Sequence, residues 1–242
     1  MIAAPSIASI VERQVSTLSE GQAFVIFTEG KSEAAYFRAL SRLVKIGKLV
    51  RIEKGKYYKP VKNRFGIIRP SETELIKTLT QRGNETVGYL TGSALYNQWG
   101  LTTQVPNTIT IARRSRLPEK DLNGYKVKFA VRPFSFIATD VPLLQLLDVL
   151  MDIRRIPDAA PASIVPVLVA RMRELSSGQL ERLTQLALNY PPSTRALLGV
   201  TLDTYFPAQD TKRLQGSLNP LTKFRLKGLE TVVADKAKWN FK

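Results

Sequence analysis

The sequence predicts an α+β chain, and three observations carry that prediction. Over residues 1–66, short amphipathic helical stretches alternate with short strand-like runs. Residues 71–135 mix the two periods again, two helical stretches being followed by the strand-like runs NTITIARR and YKVKFAVRP. From Pro142 onward the pattern is helical, in PLLQLLDVLMDI, SIVPVLVARMREL, SGQLERLTQLALNY and STRALLGVTLDTYF, with Pro and Ser caps between them. The expected domains are therefore 1–66 and 71–242, the second made of a mixed α/β part (71–135) and a mostly helical part (136–242).

Residues 6–18, SIASIVERQVSTL, place Ile7, Ile10, Val11, Val15 and Leu18 on one side of a helix that Ser6 can cap. QAFVIF follows as a short strand between Glu20-Gly21 and Glu29-Gly30. In the next helix Ser32 is the expected N-cap, and Tyr36, Ala39, Leu40 and Leu43 make the apolar stripe. At about 100° per residue the opposite face carries Ala34, Arg38, Ser41, Arg42 and Lys45. Gly47 can take the left-handed conformation that stops a helix. LVRIE then reads as a strand, KG as a turn and KYYK as the return strand. Of Tyr57 and Tyr58, which alternate, one is expected in the core and the other to reach a phosphate with its hydroxyl. Helix, strand, helix and basic hairpin is the order of a winged helix-turn-helix, with TEGKS leaving room for no more than one turn of a second helix.

Residues 59–70, KPVKNRFGIIRP, lack a period and read as a connector lying near DNA. SETELIKTLTQRG follows as a helix with a capping-box pattern at Ser71 and Glu74 and a buried side of Leu75, Ile76 and Leu79. A helix from about Thr91 to Trp99 is closed by Gly100. Between the two later strands, SRLPEKDLNG is a long hairpin loop with Asn123-Gly124 as its turn.

Charge narrows the function classes. Thirty-six Lys and Arg oppose twenty Asp and Glu, a net of +16, and residues 31–64 alone hold eleven Lys/Arg against two acids. Such a field concentrates polyanions, and nucleic acid is the usual one. The chain has no Cys and no His, which removes disulfides, zinc-thiolate sites, cysteine nucleophiles and His-dependent triads by inventory. GxxxxGK[ST] and GxGxxG are both absent. No enzymatic activity, metal or cofactor is therefore expected. MIAAPSIASIVERQV lacks the regions of a signal peptide, and no run approaches the roughly 20 apolar residues of a membrane span, so a cytoplasmic protein without membrane contact is expected.

Within the helix-to-hairpin stretch, Lys31, Ser32, Arg38, Ser41, Arg42 and Lys45 are the candidate contacts of a major-groove helix. Arg suits that role because its planar fork can bridge guanine O6 and N7. Lys48, Arg51, Lys54, Lys56 and Lys59 on the hairpin suit phosphates, which position a protein without reading sequence; lysines on an edge strand also guard against aggregation. Arg113, Arg114 and Arg116, with Lys120, Lys126 and Lys128, form a second basic patch that extends the DNA footprint, meets an acidic toxin or RNA, or simply aids solubility. A metal-dependent nuclease targeted by the winged helix is an alternative, with Asp148 and Asp152 one turn apart as its carboxylates. A basic protein-interaction module is another.

GQAFVIFT, EAAYFRALSRLVKIGKLVRIEKGKYYKP, GLTTQVPNTITI, SLNPLTKFRLKGLE and the terminal KWNFK resemble the AbiEi-type antitoxin family of type IV toxin–antitoxin systems, in its uncharacterised prokaryotic branch with an amino-terminal winged helix. The resemblance implies an amino-terminal domain that binds double-stranded operator DNA and represses its own operon. It also implies a carboxy-terminal domain that counters a nucleotidyltransferase-like toxin.

Overall fold

In the computed structural model, residues 5–26, 33–83, 85–122 and 124–242 are described, and the chain is α+β. It divides into two compact units, residues 1–89 with 111–131 and residues 90–110 with 132–242. The sequence-expected boundary near residue 70 lies inside the first unit.

The first unit starts with helix α1 (Ile7–Ser16), where the Ser6 hydroxyl accepts the Ser9 amide at 3.2 Å, and Val11 and Val15 are buried. Strand β1 (Ala23–Val25) follows, then helix α2 (Glu33–Lys45), which buries Ala39, Leu40 and Leu43. These residues, with Leu49 and Tyr57, form one apolar cluster that Tyr36, Phe37 and Phe24 flank. Each fully buried Leu contributes about 1.5–3 kcal/mol, so this cluster and not helix propensity fixes the pose of α2. Gly47, at φ +70°, reverses the chain after α2, and the Lys48 and Leu49 amides both donate to the Leu43 carbonyl. The Ser32 cap and Lys31 lie outside the described residues.

Strands β2 (Val50–Glu53) and β3 (Lys56–Tyr58) form the hairpin, turning at Lys54-Gly55 with Gly55 at φ +79°. The sheet order is β1-β3-β2, all antiparallel, with Ala23 opposite Tyr58 and Arg51 opposite Tyr57. Both tyrosines of β3 are buried, which corrects the expectation that one of them reaches a phosphate with its hydroxyl. Tyr57 stacks on Phe24 in the apolar cluster, and the Tyr58 hydroxyl donates to the Ile68 carbonyl at 3.4 Å.

The segment expected to be an aperiodic connector is instead a second antiparallel ribbon, β4 (Val61–Asn63) and β5 (Gly66–Ile68), with Val61 opposite Ile68 and Asn63 opposite Gly66. Helix α3 (Glu72–Thr80) begins at Ser71, whose hydroxyl accepts the Glu74 amide at 3.3 Å. Glu74 does not return the bond to the cap. Its Oε2 accepts the Ala23 amide at 2.8 Å and its Oε1 meets Lys77 Nζ at 2.6 Å. That bond satisfies a donor of β1, which among the described residues has β3 as its one strand neighbour, and ties α3 to the amino-terminal sheet. Residues 71–89 belong with the first unit, and this bond is one of the contacts that hold α3 there.

Strands β6 (Gln81–Arg82) and β7 (Glu85–Thr86) form a minimal ribbon. Strand β8 (Gly88–Thr91) leads to helix α4 (Ser93–Gln98), closed by Gly100 at φ +69°, and then to strand β9 (Thr108–Arg113). The long loop expected before the last strand contains a further strand, β10 (Lys120–Leu122), paired with β11 (Tyr125–Val131). The sheet order is β10-β11-β9-β8. Asn123, the first residue of the expected turn, lies outside the described residues.

Four main helices build the second unit, α5 (Val141–Asp152), α6 (Pro161–Arg173), α7 (Ser177–Ala187) and α8 (Pro192–Tyr205), followed by the short α9 (Lys212–Gly216). The Trp239 ring is fully buried against Gly199 of α8, where a Cβ would stand 2.1 Å from it. Its indole Nε1 donates to Asp203 Oδ2 at 2.9 Å. KWNFK is thus the closing piece of this core.

Candidate nucleic-acid interface

Burying Ala39, Leu40 and Leu43 forces the other side of α2 outward, and Arg38, Ser41, Arg42 and Lys45 are all exposed there. The Arg38 Nε donates to the Ala34 carbonyl at 3.3 Å, which leaves its terminal nitrogens facing solvent. Arg42 and Lys45 occupy the last turn, where the helix dipole favours cations.

On the hairpin the cations fall into two groups. Lys48, Arg51 and Lys54 are exposed, with the Arg51 Nε donating to the Glu53 carbonyl at 3.4 Å. Lys56 and Lys59, grouped with them on sequence grounds, are turned inward. Lys56 Nζ lies 2.6 Å from Glu53 Oε1, and Lys59 Nζ donates to the Leu18 carbonyl at 2.8 Å. The bulge between Arg51 and Glu53 aims Glu53 into this cluster, where its other oxygen meets Lys120 Nζ at 2.5 Å. Burial pushes the Glu53 carboxyl up, but the hydrogen bonds from Lys120 and Lys56 outweigh it and hold the group below the usual carboxylate value. Burial likewise pulls the Lys56 ammonium below its ordinary value, against the opposing pull of Glu53.

The second patch splits in the same way. Arg114 and Arg116 are exposed, whereas Arg113 is half-buried with its guanidinium 5.9 Å from the Phe129 ring centroid and its Nε without a hydrogen-bond partner. Burial lowers the Arg113 pKa, and Lys56 feels its charge. Glu53 therefore joins the hairpin to β10, and the patch continues the hairpin surface.

The β4–β5 ribbon adds three exposed cations that periodicity did not single out, Lys62, Arg64 and Arg69. The signal for it was present: Asn63 and Gly66 stand three apart, the first and last residues preferred in a type I turn. In all, the first unit carries twenty-one Lys/Arg against ten Asp/Glu, a net of +11, and the second unit carries +5.

Asp148 and Asp152, the carboxylates of the nuclease alternative, do not form an open pair. Asp148 is fully buried; its Oδ1 accepts from Arg132 Nε (3.0 Å), Arg132 Nη2 (2.8 Å) and the Tyr190 hydroxyl (2.7 Å), and its Oδ2 from Thr91 (2.7 Å). Asp152 Oδ2 accepts the Tyr96 hydroxyl at 2.8 Å. Among the described residues no group of three or more Asp and Glu is placed to hold a metal ion, and no helix is long and apolar enough to cross a membrane.

A family of unknown function (DUF6088) matches residues 11–117, a span that takes in the second half of α1, all of α2, the β2–β3 hairpin and the β4–β5 ribbon. The crystal structure of the RV2827C protein from Mycobacterium tuberculosis is similar in fold, with a TM-score of 0.51 and 16% sequence identity over 99% of this chain and 92% of that one. No curated protein matches the chain by sequence.

Proposed function

We propose that this chain is a DNA-binding transcriptional regulator whose first unit is a winged helix-turn-helix. The observation that carries the reading is the outer face of α2: Arg38, Ser41, Arg42 and Lys45 stand free on a helix fixed from behind by its buried stripe. In this reading α2 enters the major groove, and Lys48, Arg51 and Lys54 hold the backbone beside it. Phosphate contacts supply affinity and the two arginines supply base discrimination.

The resemblance to AbiEi-type antitoxins supports a more specific role, repression of the chain's own operon and neutralisation of a nucleotidyltransferase-like toxin. That role rests on the segments quoted above, whereas DNA binding rests on the cations of the first unit.

The test is binding to a duplex from upstream of the gene, by wild type and by the Arg38→Ala, Arg42→Ala double variant. A bidentate Arg–guanine pair is worth roughly 1–3 kcal/mol, so losing two weakens specific binding by about 30-fold or more. Unchanged affinity sinks the assignment of α2 as the reading helix. Rescue of growth when the chain is co-expressed with a neighbouring nucleotidyltransferase-like toxin tests the antitoxin role separately.

A further inference from the structure

We infer that the β4–β5 ribbon is a DNA-bending wedge, in which Phe65 enters the minor groove and part-unstacks one base step while Lys62, Arg64 and Arg69 hold the flanking phosphates. This deepens the DNA-binding reading and rests on it. Phe65 is 82% exposed at the ribbon's tip, and Ile67 and Ile68 behind it are 51% and 46% exposed. The Arg64 guanidinium lies over the Phe65 ring, 4.7 Å from its centroid. A bare aromatic at a ribbon tip adds nothing to the core, and its environment names its partner. From Lys54 to Arg69 there are six Lys/Arg and no Asp or Glu, so the apolar tip is set in charge complementary to a polyanion.

The tip is held firmly enough to act as a wedge. Asn63 Oδ1 accepts the Phe65 amide at 2.8 Å, Gly66 at φ +120° completes the tight turn, and the Tyr58 hydroxyl anchors the far end of β5 at Ile68. The ribbon also adjoins the proposed reading helix. Lys62 Nζ lies 3.7 Å from where a Cβ on Gly47 would stand, and Lys62 lines one cleft with Gly47 and Lys48 at the end of α2. Proteins that insert Phe, Leu or Ile between base steps from the minor groove kink the duplex by about 20–90°, and nearby cations offset the unstacking.

Phe65→Ala is the test, because a side chain this exposed can be removed without touching the core; an unchanged thermal melt confirms that the variant folds. The probe is a duplex of about 30 base pairs from upstream of the gene. Bending is read by energy transfer between end labels, and unstacking by permanganate reactivity of its thymines. Wild type is expected to shorten the end-to-end distance and raise reactivity severalfold at one or two adjacent thymines. Phe65→Ala is expected to bind within about tenfold of wild type while losing both signals. If wild type binds without bending or unstacking, or if Phe65→Ala keeps both, the wedge is overturned and the regulator reading stands. If wild type shifts no duplex at low salt, the regulator reading falls and takes the wedge with it. Bending unaffected by Phe65→Ala, together with lost binding to anionic phosphatidylserine vesicles or to a co-purifying protein, assigns the tip to that surface and overturns the wedge.

Discussion

Lys54 and Lys56 lie two residues apart on one hairpin, and the structure gives them opposite expected behaviour. Lys54 sits in the turn, exposed, whereas Lys56 is held at 2.6 Å by Glu53, with the two side chains only 16% and 27% exposed. Each phosphate neutralised adds about −0.9 to the slope of log K against log salt concentration. If Lys45, Lys48, Arg51, Lys54, Lys62, Arg64 and Arg69 each neutralise one phosphate, the slope is about −6. Lys54→Ala should then flatten it by about 0.9 and weaken binding to all sequences alike. Lys56→Ala should leave the slope where it is and cost stability instead. The lost ion pair is worth about 1 kcal/mol at most, or a melting shift of about 2–4 °C in a chain of this size.

Fluorescence anisotropy titrations at several salt concentrations between about 50 and 200 mM measure the slopes, and a thermal scan measures the stability. Glu53→Gln is the informative companion, because it releases both Lys56 and Lys120. Its slope should become steeper than that of wild type. Should Lys56→Ala flatten the slope as much as Lys54→Ala, Lys56 must leave Glu53 to reach DNA, and the division of the hairpin into gripping and structural cations is wrong. A slope unmoved by Lys54→Ala removes Lys54 from the phosphate contacts.

Two further outcomes concern the second unit. Asp148→Ala leaves Arg132 without its buried carboxylate, a change that typically costs about 3–5 kcal/mol, so the urea midpoint should fall sharply; a loss below about 1 kcal/mol contradicts the network. The Arg182 fork, 2.8 and 2.9 Å from the two oxygens of Asp140, holds that carboxyl below its ordinary value. A carboxyl depressed on folding stabilises above its unfolded pKa, near 3.8, and loses that contribution as pH falls through the folded value. Acid melts should therefore show a steeper loss of stability below about pH 4 in wild type than in Asp140→Asn, and identical acid limbs would refute the pairing.

How much of this was legible in the sequence depended on whether a residue's role is local. Helix stripes and caps such as Ser6 and Ser71 follow from short-range periodicity, and α5 to α8 lie where the pattern put them. The position of β3 at the centre of its sheet depends on a pairing between residues 23–25 and 56–58, and neither it nor the burial of both Tyr57 and Tyr58 could be seen from alternation alone. The same holds for Glu74, which looks like a cap residue within its helix but bonds to a strand 51 positions away. Charge was the least legible quantity. Composition counts Lys56 and Lys120 as equals of Lys54, yet one carboxylate, Glu53, removes both from the free surface. The β4–β5 ribbon escapes periodicity because three-residue strands carry almost no period, although Asn63 and Gly66 mark its turn.

The segments that carry the antitoxin resemblance are largely framework. In ALSRL…GK, Ala39, Leu40 and Leu43 are buried and Gly47 turns the chain. In GLTTQVP, Gly100 is left-handed, Leu101 and Thr102 are buried, and Asn97 donates to the carbonyls of Thr102 and Gln104. In the terminal segments Phe224 pairs with Phe241, and Trp239 packs on Gly199. Likeness in such residues transmits a fold, because packing constrains them whatever the surface does. The residues on which the proposed activity turns, Arg38, Arg42, Lys54 and Phe65, are exposed, and substituting them tests function without disturbing the frame. Asp148→Ala does the opposite: lost cleavage in that variant would report a broken buried network as readily as a lost metal ligand. A nuclease assay therefore needs Asp148→Asn, which keeps the side chain's size and an oxygen acceptor, with its folding checked first. Cleavage by wild type that survives in a folded Asp148→Asn protein would rule out Asp148 as the metal-binding carboxylate.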